Sequence, residues 1–69
     1  MPRKQENLHS THDTSENRKL IAKLLKAKPI TKNPVIVFEH GHFWVKDKYT
    51  DDLWDVVDTN MGFDFERVS

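Results

Sequence analysis

The chain has 69 residues, of which 36% are hydrophobic and 32% are charged, and none is cysteine. This length allows one small domain and excludes a two-domain enzyme, because so short a chain buries only about 60% of its unfolded surface. The absence of cysteine excludes a disulfide scaffold, a cysteine-ligated zinc site and a thiol nucleophile. No apolar run reaches the roughly 18 residues that a membrane span needs, and residues 1–6 lack the apolar stretch of a signal peptide. We therefore expect a soluble, cytoplasmic protein without a membrane partner.

The formal net charge is zero, because 11 Lys and Arg residues balance 11 Asp and Glu residues. The charges are nevertheless segregated along the chain. Residues 17–32 contain six cations and no anion, whereas residues 33–69 contain three cations and eight anions. We predict a molecule with two surfaces of opposite charge, whose contacts weaken as the salt concentration rises.

Residues 1–13 are predicted to form a disordered N-terminal arm, and residues 14–69 a single small domain. Met1 and Leu8 are the only hydrophobic residues among the first sixteen. Such a segment cannot bury enough apolar surface to offset the entropy of ordering.

A helix is expected to follow the N-cap signature of Asp13 and Glu16. It ends near Ala27, because Pro29 disfavours helical geometry in the residue before it. At 100° per residue, the apolar side chains fall on one side of this helix and the cationic ones on the other. The apolar side comprises Leu20, Ile21, Leu24 and Leu25. The cationic side comprises Arg18, Lys19, Lys23 and Lys26.

A β-hairpin is predicted from the β-branched and aromatic run that follows Asn33-Pro34, with His40-Gly41 as a two-residue loop. Glycine supplies the positive φ that such loops need. The resulting register makes one sheet face entirely apolar and the other mixed. The apolar face contains Ile36, Phe38, Phe43 and Val45. The mixed face contains Val35, Val37, Glu39, His42, Trp44 and Lys46.

A second helix is predicted after Thr50, which acts as its N-cap, with Asp51 and Asp52 in its first turn. Its apolar side comprises Leu53, Trp54, Val56 and Val57. Its opposite side is a purely acidic stripe at helical spacing, made of Asp51, Asp55 and Asp58. Gly62 suits the end of this helix, and residues 63–68 alternate as a closing strand.

These elements predict a small two-layer α+β domain with the order α-β-β-α-β. Its three-stranded, mainly antiparallel sheet has the order 2-1-3, and both helices cover the apolar sheet face. The expected core comprises Leu20, Ile21, Leu24, Leu25, Ile36, Phe38, Phe43, Val45, Leu53, Trp54, Val57, Phe63 and Phe65.

The first candidate partner-binding surface is a basic stripe of five residues, Arg18, Lys19, Lys23, Lys26 and Lys28. Clustered cations neutralise phosphates and give salt-dependent binding to nucleic acid. The alternative is an ordinary solvated helix face. Sequence-specific reading of bases is not expected, because the stripe lacks the Asn or Gln of base-edge contacts.

The second candidate surface lies on the mixed sheet face and comprises Val35, Val37, His42 and Trp44. An apolar patch of this kind docks a protein partner. The alternative is a Trp44 that simply rests on Val37 across the hairpin. A stacking platform for nucleic-acid bases is disfavoured, because the cations lie on the far side of the predicted molecule.

The third candidate surface is acidic and comprises Asp51, Asp52, Asp55 and Asp58. It would suit a basic protein surface or the basic helix of another copy, and the alternative is a solvated face. A calcium site is excluded, because the loop lacks the alternating oxygen ligands and the distant Glu of such sites.

No catalytic, cofactor or metal site is expected. His40 and His42 flank Gly41, but without cysteine or a spaced carboxylate they are a weak signal for zinc or nickel. No set of nucleophile, base and orienting group can be placed, so we do not expect an enzyme.

The leading hypothesis is a small, non-enzymatic regulatory or adaptor protein that binds another protein through its charged helix faces, the Trp44 patch or both. The alternatives are nucleic-acid binding by the basic helix over residues 17–28, and weak head-to-tail self-association of the basic helix on the acidic one. The layout of residues 34–68, a hairpin, a short acidic helix and a closing Gly-Phe strand, resembles that of small phage-encoded inhibitors of host RNA polymerase. This resemblance implies a phage protein that regulates a host macromolecular machine.

Overall fold

A computed structural model of the chain describes residues 10–69, which form one helix and four strands. In chain order these elements are α1 (Ser15–Ala27), β1 (Pro34–Glu39), β2 (His42–Asp47), β3 (Leu53–Thr59) and β4 (Gly62–Arg67). The strands form one antiparallel sheet in the order β1-β2-β3-β4. α1 packs on one side of this sheet, the inner face, and the opposite side is the outer face. The small α+β class is confirmed, whereas the predicted three-stranded 2-1-3 sheet with two helices is wrong.

The start of α1 is capped by Thr14. The Thr14 Oγ1 accepts a hydrogen bond from the Asn17 N–H at 3.0 Å, which satisfies one of the free donors of the first turn. Asp13, which the sequence suggested as the cap, instead forms an ion pair with Arg18. The N-cap of α1 therefore lies one residue after the predicted one.

The end of α1 lies at Ala27, as the position of Pro29 predicts. Ile21 and Leu25 lie on the side of the helix that faces the sheet, and both are buried. No helix within residues 10–69 is long and apolar enough to cross a membrane.

β1 and β2 form the predicted hairpin in the predicted register, from Pro34 opposite Asp47 to Glu39 opposite His42. The loop residues His40 and Gly41 have φ angles of 56° and 84°. Two positive φ angles are typical of a type I′ turn, whose twist matches that of the paired strands. The hairpin therefore presents its apolar side chains to α1 as expected.

The predicted second helix does not form, because its capping residues stabilise a turn between β2 and β3. Asp47 Oδ1 accepts the N–H groups of Tyr49 at 2.8 Å and Thr50 at 3.2 Å. Thr50 Oγ1 in turn accepts the Asp52 N–H at 3.2 Å. Residues with short oxygen-bearing side chains cap turns as readily as helices, so the capping signal alone does not separate the two.

Residues 53–59 fit the two-residue period of a strand as well as the helical one. Trp54 and Val56 face the core, whereas Leu53, Asp55 and Val57 face outward. Because β3 lies between β2 and β4, both of its edges take part in ladders. A helix of about two turns has no comparable stabilisation, so tertiary pairing overrides the helical spacing of the aspartates.

The core lies between α1 and the inner face. Its buried members are Ile21, Leu25, Phe43, Val45, Trp54 and Val56. Val56 is only 1% exposed and takes the place that the sequence analysis gave to Leu53 and Val57. Those two residues lie on the outer face, because a strand directs alternate side chains to opposite sides.

Ser10 closes a gap in the middle of the sheet. The β2–β3 ladder covers only Trp44 to Lys46 on β2. Next to this ladder, the Phe43 N–H donates to the Ser10 carbonyl oxygen at 3.0 Å, and the Ser10 N–H donates to Asp58 Oδ1 at 2.6 Å. Ser10 therefore bridges the main chain of β2 and the Asp58 side chain of β3 where the ladder between the two strands ends.

Of the arm predicted over residues 1–13, residues 1–9 lie outside the described part of the chain, so the prediction for them stays a prediction. Residues 10–13 are hydrogen-bonded to the domain. The His12 carbonyl oxygen accepts from Asn17 Nδ2 at 2.9 Å and from the Thr14 N–H at 3.0 Å. The folded unit therefore includes this segment.

Candidate functional site

The predicted basic stripe is divided by ion pairs within the molecule. Arg18 Nε lies 2.7 Å from Asp13 Oδ1, and Lys28 Nζ lies 2.6 Å from Asp64 Oδ1. Hydrogen bonds from these cations hold the pKa of both carboxyls below their ordinary value, and the bond to Asp13 raises the pKa of Arg18. Arg18 and Lys28 therefore have carboxylate partners within the molecule, and both side chains remain partly exposed.

The other three lysines of the stripe form the basic face of α1. Lys19, Lys23 and Lys26 lie within about 60° of one another around the helix axis, on the side away from the core residue Ile21. All three are exposed, and none pairs with an acidic residue within residues 10–69. Three of the five residues of the predicted stripe thus form one exposed face without ion pairs, and the five-residue partner site stays a prediction.

The predicted acidic stripe is not one surface, because β3 alternates with a period of two. Asp51 is exposed in the loop between β2 and β3. Asp52 Oδ1 lies 2.7 Å from Arg67 Nη2, and Asp58 accepts the main-chain bond that closes the sheet gap. Asp55 alone of the four belongs to the outer face.

The outer face bears side chains from all four strands, and no element that the structure describes covers it, because α1 packs on the inner face. It comprises Val35, Val37, Glu39, His42, Trp44, Lys46, Leu53, Asp55, Val57, Asp64 and Glu66. The four residues of the predicted sheet-face site, Val35, Val37, His42 and Trp44, are brought together here. The hairpin register places them as the sequence suggested.

Trp44 is held in place from three sides. It lies opposite Val37 in the ladder, and its ring centroid is 4.2 Å from that of His42, at an interplanar angle of 40°. Its indole Nε1–H donates to the Glu39 carbonyl oxygen at 2.9 Å. Because its only hydrogen-bond donor is already used, Trp44 offers a partner its aromatic surface and no polar group.

Asp55 links the aromatic part of the outer face to an acidic part. His42 Nδ1 lies 3.1 Å from Asp55 Oδ1 and 3.2 Å from the Phe43 carbonyl oxygen, so this ring nitrogen carries the hydrogen. Across the β3–β4 ladder, Asp55 lies directly opposite Glu66. The two carboxylates give this half of the face an excess of negative charge, and like charges in such a pair repel each other.

Four cross-strand partners, Val37, Trp44, Asp55 and Glu66, form one row across the whole sheet. Neighbouring strands lie about 4.8 Å apart, so the row is about 14 Å long. It runs from an aliphatic side chain through an aromatic ring to two carboxylates. We call it the central row.

A shallow groove of about 510 Å³ lies next to the central row, at the end of the sheet where the loop between β2 and β3 rises. Its apolar lining residues are Val35, Val37 and Leu53, and its charged ones are Lys46, Asp47, Lys48, Asp51 and Asp52. The groove adds a recess with apolar and charged walls to the outer face.

The free edge of β1 is blocked against pairing with another strand. Pro34 has no N–H to donate. In an antiparallel hairpin with a two-residue loop, the main-chain groups of Ile36 point away from the partner strand. The Ile36 carbonyl oxygen accepts a bond from Arg18 Nη1 at 3.4 Å, so it is already engaged.

The free edge of β4 is blocked in a different way. The Phe65 N–H points outward from the ladder, and Asp64 Oδ1 accepts it at 2.8 Å. The same carboxylate oxygen binds Lys28. Since both edges are protected, the outer face is the part of the sheet that remains open.

A second exposed apolar surface was not predicted from the sequence. Met61 lies in the two-residue loop between β3 and β4 and is 95% exposed. Leu20, Leu24 and Phe63 line a groove of about 220 Å³ beside it, with Lys23 among the lining residues. We call these five residues the knob surface. The sequence pattern that could have indicated it is Asn60-Met61 before Gly62, because this loop has the same length as the His40-Gly41 loop.

No group of three or more potential ligand side chains that could hold a metal ion occurs within residues 10–69. His40 lies in the first hairpin loop and is exposed, and His42 is engaged with Asp55.

The chain matches no protein-family model, no curated protein and no solved structure at a significant level of similarity. The layout that resembles phage-encoded inhibitors of RNA polymerase includes a short acidic helix, and residues 53–59 form a strand instead. That resemblance therefore does not extend to the observed fold. The structure shows a small α+β domain whose sheet has one face covered by α1 and one open face.

Proposed function

We propose that this chain is a non-enzymatic regulatory or adaptor protein that binds another protein on its outer face. The partner surface has an apolar centre, which covers Trp44 and the groove, and Lys or Arg side chains opposite Asp55 and Glu66. The observation that carries the proposal is the central row, because it combines a fixed aromatic anchor with an acidic pair on an open, four-stranded face.

The chemistry of the central row favours a cationic partner, and arginine in particular. A guanidinium group stacks on an indole ring and also forms paired hydrogen bonds with carboxylates. Trp44 and Asp55 are direct cross-strand neighbours, so one arginine can reach both. Its charge would also relieve the repulsion between Asp55 and Glu66.

The size of the outer face favours a weak and reversible contact. Four strands of about six residues cover roughly 14 by 20 Å. This is well below the roughly 800 Å² that each partner contributes to a standard stable interface. Such small contacts are typical of regulatory encounters.

The alternative of nucleic-acid binding has less support from the geometry. The basic face of α1 and Trp44 lie on opposite layers of the molecule, so cations and an aromatic platform do not share one surface. Three phosphate contacts would give a slope of log K against log salt concentration of about −2.7. Crosslinks that nuclease treatment abolishes would favour this alternative.

The test uses photo-crosslinking from defined positions in the cells that produce the protein. A photoreactive amino acid replaces Val35, which borders the outer face, or Lys26, which lies on the basic face of α1 as the matched control. We expect crosslinks from position 35 to one protein other than this chain, and none to that protein from position 26. The crosslinked peptides of the partner should contain Lys or Arg.

Three variants then test which groups carry the contact. Trp44→Ala should lower the crosslink yield about 30-fold, since a buried aromatic anchor contributes about 2 kcal/mol. Glu66→Lys should lower it through charge. Ala22→Lys, which adds a lysine at an exposed position of α1, should leave it unchanged. Crosslinks from position 26 alone, or crosslinks that nuclease treatment abolishes, would contradict the proposal.

A further inference from the structure

We infer that copies of this chain associate head to tail, with the knob surface of one copy docked on the outer face of the next. This inference rests on the proposed function, because it names a second copy as a partner for the same face. The two surfaces match in shape and in charge, and they lie on different sides of the molecule.

The match in shape joins the projecting Met61 side chain of one copy to the groove on the outer face of the next. Met61 is the most exposed large hydrophobic side chain within residues 10–69, and its position in a hairpin loop makes it project from the fold. The groove near Val35 and Leu53 offers a recess that no described side chain fills. Methionine is flexible and polarisable, so it adapts well to a shallow apolar recess.

The match in charge involves groups that have no ion pair within the described residues. On and beside the knob surface these groups are the cations Lys19, Lys23 and Lys26 and the anion Glu16, which leaves an excess of two positive charges. On and beside the outer face they are the anions Glu39, Asp51 and Glu66 and the cations Lys46 and Lys48, which leaves an excess of one negative charge. Opposite charges on two surfaces of a neutral molecule attract neighbouring copies and give each contact a defined direction.

The geometry makes this contact heterologous. The groove opens on the outer face, whereas the knob surface includes Leu20 and Leu24 of α1, which packs on the inner face. Each copy therefore keeps one free knob surface and one free outer face after it binds, and the chain of copies grows until it closes into a ring or continues as a filament.

The test blocks each surface separately by one substitution at an exposed position outside the core. Met61→Lys blocks the knob surface, and Val35→Lys blocks the groove. By sedimentation velocity, the wild type should form species that grow with protein concentration at about 0.02 M NaCl and dissociate at about 0.5 M NaCl. Each variant alone should stay monomeric, and Met61→Leu should associate like the wild type.

The equimolar mixture of the two blocked variants gives the most specific result. The intact knob surface of Val35→Lys docks on the intact outer face of Met61→Lys, and both remaining surfaces are blocked. The mixture should therefore form a 1:1 dimer and no larger species. Circular dichroism confirms that both variants are folded.

A wild type that stays monomeric at millimolar concentration and low salt overturns the inference, as does a mixture that yields only monomers or species larger than dimers. If such a wild type still crosslinks from position 35 to a different protein, self-association fails and the proposed function stands. If neither contact is found, both fail.

Discussion

Asp55 and Glu66 lie directly opposite each other across the β3–β4 ladder, with their side chains on the same open face of the sheet. The ion pair between Asp55 and His42 relieves this repulsion only when the imidazole is protonated. A like-charge pair in this position is unfavourable for the isolated domain. In a complex with a cationic partner the same pair would be favourable, because the partner's charge would neutralise both carboxylates and remove their repulsion.

Replacing Glu66 with Gln should therefore stabilise the isolated domain. Removing one member of the pair relieves a repulsion that is worth about 0.2–1 kcal/mol in cross-strand pairs. Urea denaturation measures the change. Glu39→Gln is the control, because Glu39 lies opposite His42 rather than a second carboxylate, and no stabilisation is expected from it. A destabilised Glu66→Gln variant would show that the repulsion is compensated within the domain.

Replacing Ser10 with Pro should destabilise the domain, because proline removes the N–H that donates to Asp58. The expected loss is about 0.5–1.5 kcal/mol, since the part-buried hydrogen bond to Asp58 is lost and the Phe43 N–H loses a well-placed acceptor. Ser10→Ala keeps both main-chain bonds and should change stability by less than about 0.5 kcal/mol.

Hydrogen exchange locates the effect of the Ser10→Pro substitution. The Phe43 amide should exchange faster in Ser10→Pro than in Ser10→Ala, whereas the Ile21 amide within α1 should respond only to global stability. Equal effects of both substitutions would mean that the hydroxyl, and not the main chain, holds the gap closed.

Replacing Arg18 with Ala should make the protein prone to aggregation. Arg18 engages the Ile36 carbonyl on the free edge of β1, and its guanidinium lies 5.5 Å from the centroid of the Phe43 ring. Its removal frees an edge that another strand can pair with. Light scattering during incubation at elevated temperature in about 0.5 M NaCl, where head-to-tail association is screened, measures the change. Lys19→Ala, one residue away on the exposed side of α1, should behave like the wild type.

Acidification should destabilise the domain in part through Asp47. The Thr31 hydroxyl donates to its carboxylate, as do the N–H groups of Tyr49 and Thr50, and these bonds hold its pKa below the ordinary value. A carboxyl whose pKa is lower in the folded state contributes stability above its unfolded pKa of about 3.9. That contribution is lost as the pH falls through the folded pKa.

The free energy of unfolding measured from pH 7 to pH 2 tests this. Asp47→Asn should be less stable than the wild type at pH 7 and should lose stability less steeply below about pH 4. Thr31→Val, which removes the first donor, should shift the curve in the same direction. Parallel curves for the wild type and both variants would contradict the assignment.

The sequence predicted the parts of the fold whose signals are local. The β1–β2 register follows from a two-residue loop with Gly41 and from alternation that separates apolar from mixed side chains, and a slip of one residue would reverse the faces. The helix follows from its apolar period and from Pro29. For the same reason, the grouping of Val37, His42 and Trp44 on one face could be predicted.

The rest depended on contacts distant in sequence. The segment from Leu53 to Thr59 fits both periods, and pairing with β2 and β4 decides between them. The pair Asp55–Glu66 and the exposed position of Met61 exist only once β3 is a strand. A surface built this way is visible in the folded chain and not in its local patterns.

The two tryptophans occupy opposite faces of the same sheet, and each is tied to a different process. Trp54 is buried beneath the Arg67 guanidinium, 5.3 Å from it, whereas Trp44 rests against His42 on the open side. Their indole N–H resonances can therefore be followed separately in one sample. Trp54 reports whether the domain is intact, and Trp44 reports whether its open side is occupied. The protein thus contains its own internal control for any binding measurement.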